Sequence, residues 1–152
     1  MKDSPGSVPS IQVLCVRVHM AQMSDTLELM DHWIQERDGC RYIVATGMHG
    51  VMEARRDPDF KTVVNSADLF VPDGISLVWV ARRRGFPLKK RVCGSDLMWG
   101  FFSLAEEKGY RVFFYGDTED TLQQLSLRLR ERFPRLQIAG VCSPPFRPLT
   151  PE

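Results

Sequence analysis

The chain has 152 residues, 43% of them hydrophobic and 26% charged, a globular composition that excludes fibrous, disordered and membrane-spanning classes. Lys and Arg total 20 against 19 Asp and Glu, so the formal net charge of +1 supplies no global field to draw the chain to nucleic acid. Cys15, Cys40, Cys93 and Cys142 are scattered without a C-x-x-C pair, which indicates neither a zinc site nor a disulfide framework and fits a reducing cytoplasm.

In chain order, residues 1–10 read as a flexible Pro/Ser/Gly leader, and residues 11–18 (IQVLCVRV) as a first strand. Ser24 is placed to cap a helix with Leu27, Met30, Trp33 and Ile34 along its apolar stripe, ended by Gly39. RYIVA, residues 41–45, reads as a short buried strand leading into Thr46-Gly47-Met48-His49. Asp57-Pro58 has the form of an N-cap followed by proline at the first helical position. A strand over 68–72 then stops at Asp73-Gly74, and a helix over 75–84 is closed by Gly85. Ser95 is expected to cap a helix over 97–108, YRVFFY at 110–115 reads as a strand covered on both faces, and 118–133 is an amphipathic helix. The last strand is expected over 136–141, followed by a proline-rich tail, 144–152. Strands alternating with helices predict an α/β fold with an open parallel sheet and helices on both faces. Ligands of such folds bind at the carboxyl edge, which directs attention to the loops beginning at Thr46, Asp73 and Gly116.

Asp73 follows a buried-looking strand and precedes a glycine, so its carboxylate is presented beside a helix start as a candidate general base; a plain turn or helix cap uses the same residues. Gly94-Ser95-Asp96 opens a helix whose free N–H groups suit a phosphate or a sugar hydroxyl, and a simple N-cap explains Ser95 equally. Gly116-Asp117 resembles the first turn of a nucleotide fold, without G-x-G-x-x-G or G-x-x-x-x-G-K-[ST]. His19, His32 and His49 have no metal spacing, and no metal or cofactor is expected. Arg82, Arg83, Arg84, Lys89, Lys90 and Arg91 form the one basic concentration, suited either to a phosphate or headgroup or to a solvated helix end. No run approaches the length of a membrane-spanning helix, so any membrane contact is expected to be peripheral.

Several ordered motifs resemble the WecG/TagA/CpsF family of bacterial glycosyltransferases, from about Ile11 onward. ARRDP at 54–58, N-x-AD at 65–68, PDGI at 72–75, RVCGSD at 91–96 and FPRLQIAG at 133–140 carry the resemblance. It implies a Rossmann-like glycosyltransferase domain over 11–143 and an inverting transfer from a UDP-sugar to a polyprenyl-diphosphate-linked sugar, at the inner face of the bacterial cell membrane. The resemblance implies N-acetylmannosamine, its uronic acid or a hexose as the sugar moved. It further implies that Asp73 deprotonates the acceptor hydroxyl, Thr46 lines the acceptor pocket and Arg91 pairs with the acceptor diphosphate; direct displacement needs no enzyme nucleophile. Met48, Gly74, Gly94, Ser95, Asp96, Gly116 and Asp117 complete the expected substrate contacts.

The chain departs from the family at Met48, where T-x-N would place an amide that donates hydrogen bonds. Asp117 replaces the second glycine of a Gly-Gly step, and Ser143-Pro144-Pro145-Phe146 replaces a Gly-aromatic step. The family continues with further βα units, a P-K-Q-E motif and a basic tail, so this chain is expected to fold alone but to transfer sugar poorly. A catalytically inactive module binding a nucleotide sugar or lipid diphosphate is the alternative, with a nucleotide-binding regulatory domain behind it. The sequence leaves homo-oligomerisation open.

Overall fold

A computed structural model describes residues 8–37 and 39–147. Residues 1–7 of the expected leader and 148–152 of the expected tail lie outside the described residues. The chain is mixed α/β and divides into two compact units, Met1–Trp99 and Gly100–Glu152.

The first unit opens with β1 (Ser10–Val13) and β2 (Val16–His19), paired antiparallel with Ile11 opposite Val18. The single strand expected over 11–18 is thus a hairpin, turned at Leu14 with φ 53°. Ile11 and Val13 are buried, and so are Val16 and Val18, each pair at the two-residue strand period. The three-residue step between Val13 and Val16 breaks that period and is where the turn falls. Arg17 donates its N–H to Asn65 Oδ1 at 2.9 Å, and Asn65 Nδ2 donates to the Cys15 carbonyl at 2.9 Å, so one side chain supplies the edge partners that a third strand would otherwise give.

Helix α1 (Met23–Glu36) starts one residue before the expected Ser24 cap, because the Asp25 carboxylate accepts the Gln22 N–H at 2.9 Å and closes the first turn. It ends at Arg37 in the left-handed conformation rather than at Gly39. Strand β3 (Ile43–Thr46) leads into α2 (Met48–Arg56), and α3 (Pro58–Asn65) follows with Asp57 accepting from the N–H groups of Asp59 and Phe60, as the Asp-Pro pair predicts. Strand β4 (Leu69–Pro72) is buried at every position and pairs parallel with β3, Thr46 opposite Pro72. A four-residue run without a polar face is what a covered parallel strand requires. Helix α4 (Ile75–Arg83) turns Leu77, Val78 and Ala81 into the core around Phe70.

Helix α5 (Gly94–Lys108) begins at Gly94, with the Cys93 carbonyl accepting from Leu97, so Ser95 lies inside the first turn and is not the cap expected of it. The division between units falls within this helix. In the second unit β5 (Arg111–Tyr115) pairs parallel with β6 (Gln137–Cys142) across α6 (Glu119–Arg132). Its core gathers Phe102, Ala105, Val112, Leu129, Phe133 and Leu136. The expectation that β5 is covered on both faces does not hold within this unit. Val112 is buried, whereas Phe113 and Tyr115 on the opposite face are 58% and 69% exposed. Apart from Arg111, YRVFFY reads as apolar throughout because aromatic residues tolerate either face.

His19 joins β2 to β4 through its side chain: Nδ1 accepts the Phe70 N–H at 2.9 Å in a buried setting. Burial first, and the Arg17 charge second, lower its pKa. A nitrogen that accepts an N–H must also be unprotonated, so the geometry suits the neutral ring. Nearby, burial pushes Asp68 up, yet the Tyr42 N–H and the Arg41 guanidinium outweigh it and hold the carboxyl below its ordinary value.

Candidate functional site

The carboxyl ends of β3 and β4 lie side by side, and the chain leaves both through glycine. Gly47 precedes α2 and Gly74 precedes α4. A Cβ on Gly74 would stand 3.1 Å from Gly47 Cα, so the two exit loops touch backbone to backbone and a side chain at Gly74 would have to push them apart by a few tenths of an ångström. Asp73 sits at this crossing. Its N–H donates to the Thr46 carbonyl at 3.3 Å, which extends the β3–β4 pairing by one step and fixes where the carboxylate emerges.

Two more segments close on that carboxylate. Val92 donates to the Pro72 carbonyl at 3.0 Å, bringing RVCGSD alongside β4. Gly94 then donates its N–H to Asp73 Oδ2 at 3.3 Å, and Arg91 Nη1 stands 3.7 Å from Oδ1 and 3.3 Å from the Asp73 carbonyl. The Arg91 side chain is half-exposed and both contacts use Nη1, so the rest of its fork is left for a ligand. Exposed ion pairs of this kind are worth about 0–1 kcal/mol, which makes the pair exchangeable rather than structural. Helices α2, α4 and α5 all begin here, and their N-terminal dipoles favour negative charge at this point.

The structure therefore brings together Thr46, Asp73, Gly74, Arg91 and Gly94. Ser95 and Asp96 are exposed in the adjoining first turn of α5. Thr46 is held by Gly50, where a Cβ would meet the Thr46 γ atoms at 2.5 and 2.6 Å. Met48 is the first residue of α2 and packs against the core of the first unit, a thioether in place of an amide. Sequence reasoning passed over Gly47, Gly50 and Cys93. The two glycines were legible as a helix cap and a small helical residue; Gly50 clears Thr46 four residues back, whereas Gly47 faces Gly74 from another strand exit. Cys93 Sγ lies 3.2 Å from Ser95 Oγ, a contact made only once the helix start is in place. Among the described residues no group of three or more His, Cys, Asp or Glu is arranged to hold a metal ion.

Gly116 and Asp117 belong to the second unit. Gly116 has φ 124° and Asp117 φ 57°, Asp117 Oδ1 accepts the Thr118 N–H at 2.7 Å, and Thr118 caps α6. They border a cleft of about 1280 Å³ with Tyr115, Ser143 and Phe146.

An acid and a cation gathered with glycine-lined helix starts at a parallel strand exit make a candidate ligand site of the kind α/β proteins carry at the carboxyl ends of their strands. The chain belongs to the glycosyl transferase WecG/TagA/CpsF family, whose profile matches residues 11–152. It is similar to the N-acetylglucosaminyldiphosphoundecaprenol N-acetyl-beta-D-mannosaminyltransferase of Bacillus spizizenii, 36% identical over 99 residues, 65% of this chain and 38% of that protein. The protein of the same name from Bacillus subtilis strain 168 is 27% identical over 125 residues, 82% of this chain and 48% of its own length. That of Staphylococcus aureus strain NCTC 8325 is 26% identical over 98 residues, 64% and 39%. The chain thus spans less than half the length of these relatives.

Proposed function

We propose that this chain carries the acceptor-handling site of an inverting glycosyltransferase that moves a sugar from a UDP-sugar donor to a polyprenyl-diphosphate-linked sugar in cell-surface polysaccharide synthesis. The relatives' names favour N-acetylmannosamine as the sugar and an N-acetylglucosaminyl diphospholipid as acceptor. The Asp73 carboxylate takes the proton of the acceptor hydroxyl as that oxygen attacks the anomeric carbon, and the donor diphosphate departs from the opposite face. Arg91 meets the acceptor diphosphate, and Thr46 lines the acceptor pocket. The observation that carries the reading is the convergence of Gly94 and Arg91 on Asp73 from 21 and 18 residues away. Chain separation of that size is unnecessary for a turn. The fold proposed with it is a Rossmann-like open parallel sheet, supported by the parallel β3–β4 and β5–β6 pairs joined through helices. The reaction is proposed to take place at the cytoplasmic face of the membrane.

Incubation with UDP-N-acetylmannosamine and an N-acetylglucosaminyl diphospholipid tests this: the lipid product gains one sugar. Met48 favours a second reading, a binding module without turnover, since a thioether packed against the core stands where the family's T-x-N places an amide donor. Acceptor binding without any product from this chain, or from a longer protein with the same site, selects that reading.

A further inference from the structure

We propose that the outer face of α4 and the loop after it form a docking surface for an anionic lipid bilayer. Between Asp73 and Asp96 the sequence holds six cations and no acid, although the chain as a whole is nearly neutral. Helix α4 turns Leu77, Val78 and Ala81 inward, while Ile75 and Trp79 are 54% and 65% exposed. Ile75, Trp79, Arg82 and Arg83 fall within an arc of about 100° on that outer face, so an apolar ridge runs into a cationic end. Arg82 is used internally: Nε donates to the Leu88 carbonyl at 2.8 Å and Nη2 to the Lys89 carbonyl at 2.7 Å, folding the loop back against the helix end. That fold gathers Arg83, Arg84, Lys89 and Lys90, all exposed and without an acidic partner among the described residues.

The composition selects the partner. A helix dipole accounts for one or two cations in a last turn, not for Lys89 and Lys90 beyond it. A clustered set of Lys and Arg beside an exposed Trp and Ile matches a negatively charged interface, where the indole seats at headgroup depth and the cations meet the lipid phosphates. Asp73 and Gly74 immediately precede this helix, so docking there sets the candidate site beside the plane in which a lipid-linked acceptor is held. The proposal deepens the acceptor reading, yet its test needs no sugar transfer.

The full chain is floated with vesicles of phosphatidylcholine containing about one-third phosphatidylglycerol, and with pure phosphatidylcholine, at low and at high salt. Binding is expected to the anionic vesicles alone and to be lost at high salt. Arg83→Ser, Arg84→Ser, Lys89→Ser and Lys90→Ser combined are expected to weaken it at least 100-fold, at about fivefold per cation, and Trp79→Ala about tenfold. Arg128→Ser with Arg130→Ser, on α6, removes two cations away from the patch and is the control compared per cation; it should change binding less than twofold per cation. All these side chains are exposed, and circular dichroism verifies the fold of each variant. Equal binding to neutral vesicles, an unchanged affinity in the fourfold variant, or equal loss in the α6 control overturns the proposal. So does tighter binding to a short DNA duplex at the same salt, which assigns the patch to nucleic acid. The vesicles contain no sugar acceptor, so loss of docking and loss of transfer are separate results.

Discussion

The exits of β4 and β5 look alike in sequence, each an apolar strand followed by an Asp-Gly or Gly-Asp pair, and the structure makes them different things. At the β4 exit the acid is engaged by Gly94 and Arg91, and its neighbouring glycine lies against Gly47. At the β5 exit the acid accepts from the next residue, and nothing lies within 4 Å of where a Gly116 Cβ would be. The first has its carboxylate tied by parts of the chain that had to be brought to it; the second is reached from a distance only at its backbone, where Ser143 donates to the Asp117 carbonyl at 2.6 Å, while its carboxylate is satisfied locally. A carboxylate engaged from a distance is the one whose position the fold specifies, and it is the better candidate for chemistry.

The largest expected effect tests that contrast directly. Asp73→Asn should leave the thermal midpoint nearly unchanged while cutting turnover by about 10²-fold or more, assayed in this chain and in a longer protein carrying the same site. Full turnover in the variant removes Asp73 from the mechanism. Arg91→Ala should raise the acceptor KM by roughly 10–100-fold, the worth of a charge-assisted hydrogen bond, with the donor KM unmoved. A donor defect instead would reassign the phosphate that Arg91 meets.

Stability changes sharpen the same comparison. Gly74→Ala drives a Cβ against Gly47 backbone and should cost about 1–3 kcal/mol by urea unfolding. Gly74 and Gly47 carry a packing constraint that the open Gly116 lacks. Smallest of all, Asp117→Asn keeps both the left-handed tolerance and the side-chain acceptor, and should alter turnover by less than about twofold and the unfolding free energy by less than about 0.5 kcal/mol. A large loss there would move the chemistry to the second unit.

His19 adds a pH test of the first unit. Its pKa is lowered on folding from 6.5, so below that value the unfolded chain takes up a proton that the buried ring resists. Stability from this residue is therefore complete above pH 6.5 and declines as pH falls toward the lowered native value. Urea midpoints at pH about 7.5 and about 5.5 should differ less in His19→Gln, which keeps an acceptor for Phe70 but does not titrate. An unaltered slope assigns the acid sensitivity elsewhere.

Much of this architecture was legible in the sequence. The Asp57-Pro58 cap, the covered β4 and the stop at Asp73-Gly74 follow from local rules, because their causes lie within a few residues. The hairpin was hidden because five closely set apolar residues resemble one strand unless the change of phase at Val16 is counted. The closeness of Gly74 to Gly47 was hidden for a different reason: it is imposed by another strand exit across the fold, and no spacing along the chain records it. The exposed face of β5 was masked by aromatic residues, whose hydrophobicity does not say which side faces a core.

The Asn65 side chain has a consequence for chemical ageing. Its amide is read in both directions, Oδ1 receiving from Arg17 and Nδ2 giving to Cys15. Deamidation at the Asn65-Ser66 bond would replace the giving nitrogen with an oxygen and set it against the Cys15 carbonyl, leaving the hairpin tethered on one side only. The helical backbone that holds Asn65 also opposes the ring closure by which deamidation begins, so the contact that damage would break lies in a geometry that slows the damage.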